Sequence, residues 1–302
     1  MKKKSLVKSS ISDHIIDLVV VVAMLFSLVV TLYPFLNILA ISLNDSLDAV
    51  RGGIHIWPRV FTLDNYRELL KYNNLPHAFL ISILRTALGV LTGIVASSMF
   101  AYTLSRRDYV FRKPFSVLLV LTLYVSGGLV PDYMLIRKLG MINSFWVYIL
   151  PVLLSGWNVI VLRSFMDGLP YSLQESAKID GANDLIIFSR IVLPLSLPVV
   201  ATVSLFIAVG QWNAWMDTYL YASGAQELST LQYELVKILF SATASQSSQA
   251  MTFDSTSAAR NMVSPQSIRM AITIVATVPI LCVYPFVQKY FVTGMTLGAV
   301  KS

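Results

Sequence analysis

The apolar positions of this chain fall in long continuous runs, not at the spacing of a half-buried helix or strand. A membrane-crossing helix needs ~20 mostly apolar residues at about 1.5 Å rise each. Six stretches meet or approach that length: Ile15–Ser42, Phe79–Leu104, Phe115–Ile136, Phe145–Leu162, Ile191–Gly210 and Met270–Lys289. The fourth is the shortest. The pattern predicts an all-α, polytopic membrane protein with six transmembrane helices. Lys2, Lys3, Lys4 and Lys8 precede the first stretch, as in a signal peptide. That stretch is too long for one and lacks a small-residue cleavage pattern, so it reads as an uncleaved span.

Six spans place both termini on one side of the membrane. Lys2, Lys3, Lys4 and Lys8, then Arg106, Arg107, Arg112 and Lys113, crowd two short segments, 1–14 and 105–114. Such density marks the cytoplasmic side. The expected organisation is a cytoplasmic N-terminus (1–14), a transmembrane domain (15–290) and a cytoplasmic tail (291–302). Outer loops are expected at 43–78 and 211–269. The first turns through Gly52, Gly53 and Pro58 and continues as a short amphipathic helix, Leu63–Leu70, with Asp64 near its N-cap. The second holds an apolar-periodic piece, Leu231–Phe240. The Ser/Thr/Gln-rich run Ser241–Ser257 follows, the least ordered part by composition. These loops read equally as solvated connectors or as contacts for something outside the cell.

Composition narrows the class. Hydrophobic residues make up 56% and charged ones 13%, with a mean hydropathy of +0.68. A soluble domain would carry about a quarter charged residues, and a disordered chain would be far less apolar. The net charge of +7 reflects sidedness and gives no sign of nucleic-acid binding. Cys282 is the single cysteine, so an internal disulfide is excluded. His14, His55 and His77 are isolated and read as ordinary polar residues; no metal site is expected. The chain has no G-x-x-x-x-G-K-[ST], G-x-S-x-G or H-E-x-x-H motif. A membrane enzyme therefore lacks a catalytic constellation, and a secondary carrier lacks the mid-span carboxylates it would use. The one deep charge is Arg85. It reads either as packing against a polar partner or as a cation facing a polar or anionic substrate. Transport by such a chain must draw its energy from another chain.

The segment between the fourth and fifth stretches carries the most information. Ser172 and Glu175 fit an S-x-x-E capping box that would start a short helix. Gly181 is placed for a left-handed C′ turn. A second helix is expected from Asn183 or Asp184, with Pro194 and Pro198 resetting the start of span five. In register, Glu175, Ala177, Gly181, Ile191, Leu193 and Pro194 closely resemble the E-A-A-x-x-x-G-x9-I-x-L-P loop of bacterial ABC importer permeases. Ser176 replaces the middle Ala, small for small.

The resemblance covers almost the whole chain. Phe61-Thr62-Leu63-Asp64-Asn65-Tyr66, Ile179-Asp180-Gly181-Ala182 and Gln211-Trp212-Asn213-Ala214-Trp215 look like the carbohydrate branch. The ending Tyr290 to Lys301 resembles importers of oligosaccharides and polysaccharide fragments, including alginate and rhamnogalacturonan. By that resemblance the chain has the type I ABC importer permease fold, and Glu175, Ser176, Ala177, Asp180 and Gly181 form the coupling helix near 172–182. The implied partners are a second, non-identical permease, two ATPase subunits and an extracytoplasmic solute-binding protein. ATP and Mg would sit in the ATPase chains, with no cofactor here. A sugar path needs aromatic faces and neutral hydrogen-bonding groups. Trp212, Asn213, Trp215, Tyr219 and Asn158 suit it, with Arg85 for an acidic sugar. The aromatics read equally as an interfacial Trp/Tyr belt. The alternatives are an ABC importer of another small solute and, more remotely, a secondary carrier.

Overall fold

The structure is a computed structural model, and it describes residues 11–71, 74–249 and 264–299. Fourteen α-helices occur among these residues, joined by short 3-10 and π turns, and the only β-type pairing there is an isolated bridge between Asn44 and Phe61. The chain divides into two compact units. One comprises 1–71 with 242–275, the other 72–241 with 276–302.

In the first unit, α1 (Ile11–Ser42) has exposed side chains from His14 to Phe35. A helix this apolar with no protein cover is suited to hydrocarbon, where all its backbone groups are satisfied internally. The connection after it folds onto its end through α2 (Ser46–Val50) and α3 (Asp64–Leu70). Asn65 is the hub. It is buried, and its Nδ2 donates to the carbonyls of Ser42 (2.8 Å) and Asn44 (2.9 Å), while its Oδ1 accepts from Ser46 Oγ (2.8 Å). Tyr66 adds a hydroxyl contact to Ser42 Oγ at 2.7 Å. The Phe61–Tyr66 motif is thereby explained: Asn65 satisfies buried backbone groups that would otherwise stay unpaired. Asp64 is the first helical residue, with Leu63 as the N-cap.

In the second unit, α4 (Leu75–Ser105) is the central rod, packed on α11 (Leu197–Asn213) and α7 (Gly156–Asp167). Its buried stripe repeats every four residues: Arg85, Gly89, Gly93, Ser97, Ala101. Small residues at this spacing let helix backbones approach closely. A Cβ on Gly89 would fall 2.6 Å from Gln211 Nε2, and one on Gly93 would touch Ile207 at 3.4 Å. The main core lies toward the far end of α4, where Ala101, Leu104, Val159, Leu162, Ile187 and Val203 meet.

Among the described residues, three helices, within 14–42, 75–105 and 266–285, are long and apolar enough to cross a membrane, and two bent pairs raise the number to at most five. The six expected spans thus do not appear as six helices. The third is broken between α5 (Arg112–Tyr124) and α6 (Leu129–Lys138), which meet at 117°. Gly128, at φ +88, makes that corner, a conformation few other residues adopt. The fourth starts as a 3-10 turn, Phe145–Tyr148, and reaches helix only in α7, which at twelve residues rises about 18 Å. The fifth bends by 83° between the helical run 184–195 and α11. Its break falls at Ser196, between Pro194 and Pro198, as their positions predict.

α13 spans Leu231–Gln249, so helix runs well into the Ser/Thr/Gln-rich run, whose remainder from 250 lies outside the described residues. α14 (Pro265–Ala299) covers most of the ending motif as helix. Segment 1–10 and residues 300–302 also lie outside the described residues.

Candidate functional site

The two halves of α4 each gather a polar cluster, and the sequence-selected residues divide between them.

At one end stands the E-A-A-like segment. α8 (Ser172–Ile179) and α9 (Asp184–Ile187) are joined by a tight turn. Gly181 adopts φ +81, the amide of Ala182 donates to the carbonyl of Ala177 (2.9 Å), and that of Gly181 donates to Lys178 (3.0 Å). This is a Schellman C-cap with glycine at C′. Asn183 opens α9, its Oδ1 accepting from the Ile186 amide at 2.9 Å. The predicted capping box is corrected. Tyr171, not Ser172, is the N-cap and it makes no side-chain cap bond. Its carbonyl already accepts from the Glu175 amide at 3.1 Å, so the helix starts one residue early and Ser172 lies inside it.

α8 exposes apolar and polar side chains together. Gln174 and Ala177 are buried, whereas Glu175, Ser176 and Asp180 are exposed and Ile179 is 87% exposed. Leu185 and Ile186 of α9 are exposed as well. No atom lies within 4 Å of where a Gly181 Cβ would sit.

Arg106, just past the C-terminus of α4, is buried beneath this pair of helices. Its Nε and Nη2 donate to Asp108 Oδ1 (2.9 Å) and Oδ2 (2.7 Å). Nη1 donates to Tyr102 Oη (2.9 Å) and pairs with Asp184 Oδ1 (2.9 Å). Lys178 Nζ reaches Asp108 Oδ2 at 3.0 Å. Tyr102 packs on Phe188, ring centroids 5.4 Å apart, where a π-helical turn (Phe188–Val192) interrupts the helix.

In the other half of α4, inside the helix, stands Arg85. It is 1% exposed. Nε donates to Gln211 Oε1 (2.8 Å), Nη1 to the Ala214 carbonyl (3.1 Å) and Asp217 Oδ1 (3.2 Å), and Nη2 to Asp217 Oδ2. The guanidinium carbon lies 4.5 Å from the Tyr148 ring centroid. Gln211 Nε2 in turn donates to the Tyr148 carbonyl at 3.0 Å. Asp217 belongs to α12 (Met216–Tyr221). The substrate-facing reading of Arg85 therefore gives way to the packing one, because its donors are held by this protein's own acceptors.

The other path residues separate. Trp212 is buried, donates Nε1–H to the Ala276 carbonyl (3.0 Å) and meets Phe79 edge-on at 5.9 Å. It borders an almost wholly apolar groove of about 300 Å³, shared with Ile83, Leu205 and Pro279. Thr86 is the one hydroxyl in that wall, so it offers little hydrogen bonding to sugar hydroxyls. Asn213 is exposed at the end of α11, and Asn158 is half-buried in α7. Trp215 and Tyr219 do come together, 6.4 Å apart, and Tyr233 continues the row at 6.4 Å from Tyr219. Gln211, Asp217 and Tyr233 were missed from sequence. Asp217, an acid four residues past the fifth apolar stretch and its Gln211-Trp212-Asn213 cap, was the available signal for a partner to Arg85. No group of three or more His, Cys, Asp or Glu is arranged to hold a metal among the described residues.

Comparison with known proteins agrees along nearly the whole length. The family described as "Binding-protein-dependent transport system inner membrane component" matches residues 5–297. The chain is 37% identical over 292 residues to the polygalacturonan/rhamnogalacturonan transport system permease protein YtcP of Bacillus subtilis (strain 168), covering 96% of this chain and 99% of that one. It is 27% identical over 295 residues to the arabinooligosaccharides transport system permease protein AraQ of Halalkalibacterium halodurans, covering 96% and 98%. Among solved structures, it superposes with a TM-score of 0.80 and 26% identity on a chain of a bacterial ABC transporter involved in the import of the acidic polysaccharide alginate, covering 94% and 99%. The chain thus belongs to the inner-membrane components of binding-protein-dependent transport systems: it is an all-α, multi-pass permease subunit with the type I importer fold, and ATP hydrolysis in these importers lies in separate chains.

Proposed function

We propose that this chain forms half of the translocation path of an ATP-driven importer of oligosaccharides or polysaccharide fragments, acidic ones such as alginate or galacturonan pieces included. Its partners are a second, non-identical permease, two ATPase chains and an extracytoplasmic solute-binding protein. The N-terminus and the loops 105–114 and 163–190 face the cytoplasm, in keeping with their density of Lys and Arg. The names of the similar permeases support the sugar class.

The observation that carries the reading is the outward face of α8. Ile179, 87% exposed, together with the exposed Leu185 and Ile186 of α9, sets three large apolar side chains around the left-handed Gly181 turn, with Glu175, Ser176 and Asp180 as polar neighbours. Such a surface suits a docked partner, and the ATPase is that partner. Closure of the ATPase dimer moves α8 and α9, and the spans exchange inward- and outward-facing cavities as rigid bodies. Asn158, Asn213, Trp215 and Tyr219 flank the sugar path, while Arg85 and Trp212 hold its frame.

The test is reconstitution of the complete complex in proteoliposomes with labelled oligogalacturonides, alginate oligosaccharides and neutral arabino-oligosaccharides. Uptake that requires both ATP and the binding protein supports the proposal. Uptake driven by an ion gradient without ATP overturns it. Transport of amino acids in preference to every sugar overturns the substrate class alone.

A further inference from the structure

Residues Arg106, Arg107 and Asp108 leave α4 at its end and grip the α8–α9 pair at three places. Arg107 lies over the ring of Tyr171, the N-cap of α8, at 5.1 Å. Asp108 holds Lys178 in the last turn of α8 at 3.0 Å. Arg106 holds Asp184, the first residue of α9, at 2.9 Å. Between these last two points runs the Gly181 turn, with its paired cap bonds. Two cations and two carboxylates balance each other, and only Arg106 among them is buried. Its burial is secured from below, where Tyr102 receives an Nη1 hydrogen bond and packs on Phe188.

We infer that Arg106 is the positioning residue that joins the α8–α9 docking unit to α4, so that a displacement of α8 is delivered to this helix and through it to the transport path. This inference rests on the proposed docking of α8 on the ATPase. The physical reason is the geometry of the joint. A helix pair attached to a rod through one covalent loop can pivot. The same pair held at its N-cap, its last turn and the start of its second helix moves with the rod. The guanidinium can serve two carboxylates at once because its donors form a rigid planar fork, with Nε and Nη2 to Asp108 and Nη1 to Asp184. A lysine could not reproduce that division. The surrounding carboxylates are half-exposed or more, so the joint can be strained and re-formed within a transport cycle without exposing an apolar core.

The experiment compares uptake with ATP hydrolysis in the reconstituted complete complex carrying Arg106→Gln, Lys178→Met or Gly181→Leu, after subunit stoichiometry has been checked by size-exclusion chromatography. A purely structural role for Arg106 would lower the amount of complex and leave the sugar moved per ATP unchanged in what remains. The expected result is a fall in sugar moved per ATP of about three- to tenfold for Arg106→Gln and less for Lys178→Met, which loses only the exposed arm. An assembled Arg106→Gln complex with the wild-type ratio overturns the inference. Should Arg106→Gln fail to assemble, a wild-type ratio in Lys178→Met overturns it. The underlying docking proposal has its own readout: it fails if Gly181→Leu transports normally, whereas uncoupling by Gly181→Leu with a normal ratio in both charge variants sinks the joint alone.

Discussion

α4 carries one buried arginine inside its first half and another just past its C-terminus, yet the two are partnered in different surroundings. About 31 Å of helix rise separates Arg85 from Arg106, close to the thickness of a bilayer's hydrocarbon core. Arg85 is held by side chains that are themselves inside the protein, and its carboxylate partner, Asp217, is only 21% exposed. Arg106 faces carboxylates that are 51% and 66% exposed, on Asp108 and Asp184. Charge attraction is strong and hard to replace where water is excluded, and weak and readily re-made where water and salt reach it. The Arg85 cluster thus behaves as a lock that fixes α11 and α12 on α4. The Arg106 cluster behaves as a joint.

The sharpest way to break the comparison is at the lock. Arg85→Met leaves the Asp217 carboxylate without its cation. Removing one partner of a buried pair costs about 3–5 kcal/mol, somewhat less here because Asp217 touches water. The expected outcome is a strong loss of folded subunit, read by fluorescence-detected size-exclusion chromatography in detergent. The double variant Arg85→Met/Asp217→Leu should recover part of it, since two neutral groups leave no stranded charge. If Arg85→Met assembles normally and only loses acidic sugars, Arg85 belongs to the substrate after all.

Next in size is the packing beside the lock. Gly89→Ala would drive a methyl group to within 2.6–2.9 Å of the Gln211 side chain. Gln211 cannot swing aside freely, because Arg85 holds its Oε1 and the Tyr148 carbonyl holds its Nε2. Overpacking of this kind costs about 1–3 kcal/mol. A drop in the melting temperature of the purified subunit should accompany it, whereas Gly210→Ala, with open space at its Cβ, should be silent.

These residues also mark the limit of what the sequence disclosed. The apolar runs located the three helices that are long and apolar enough to cross a membrane among the described residues, because hydrocarbon demands the same composition whatever the fold. They could not show that the third run bends, since Gly128 changes the backbone without changing hydropathy, whereas Pro194 and Pro198 announced the bend of the fifth. The α8–α9 unit was legible almost residue by residue because its signals are local: a C′ glycine, an Asn N-cap, flanking prolines. Its start was misread by one residue, since the proline-preceded turn at Tyr171 competes with Ser172 for the N-cap. Arg85 was visible as an anomaly and its partner was not. Asp217 lies 132 residues away, and only the packing of α11 on α4 brings it near. The four-residue repeat Gly89, Gly93, Ser97, Ala101 was the overlooked sign of that packing.

At the joint the expected effects are smaller in stability and larger in coupling. Asn183→Ala removes the Oδ1 bond to the Ile186 amide and should cost about 1 kcal/mol, fraying α9. Asn183→Asp keeps an acceptor and should behave as wild type. The contrast is read from the sugar moved per ATP in the reconstituted complex, which should fall for Ala and hold for Asp. Equal behaviour of the two variants would mean that the start of α9 bears no load.

The smallest expected effect is that of pH, and it separates a salt-bridged joint from a titrating switch. Hydrogen bonds from Arg106 and then Lys178 hold the Asp108 carboxyl well below the usual carboxylate range. A carboxyl depressed in the folded state stabilises above its ordinary pKa, and that contribution is lost only as pH falls through the depressed value. Lys178 is shifted upward, first by its hydrogen bond to Asp108. Its contribution is complete below its ordinary pKa of 10.5 and is lost only as pH rises beyond that. The window between the two covers the whole physiological range, so Asp108, Lys178 and Arg106 all stay charged throughout it. The sugar moved per ATP should accordingly be flat between about pH 5.5 and 8.5 once the pH dependence of hydrolysis itself is divided out. Raising the salt concentration should weaken coupling over the same range, because the exposed arm from Lys178 to Asp108 is screened. A steep change in the ratio between pH 6 and 7 would require a titrating group at the joint that the Arg106 cluster does not supply, and would replace the clamp with a switch.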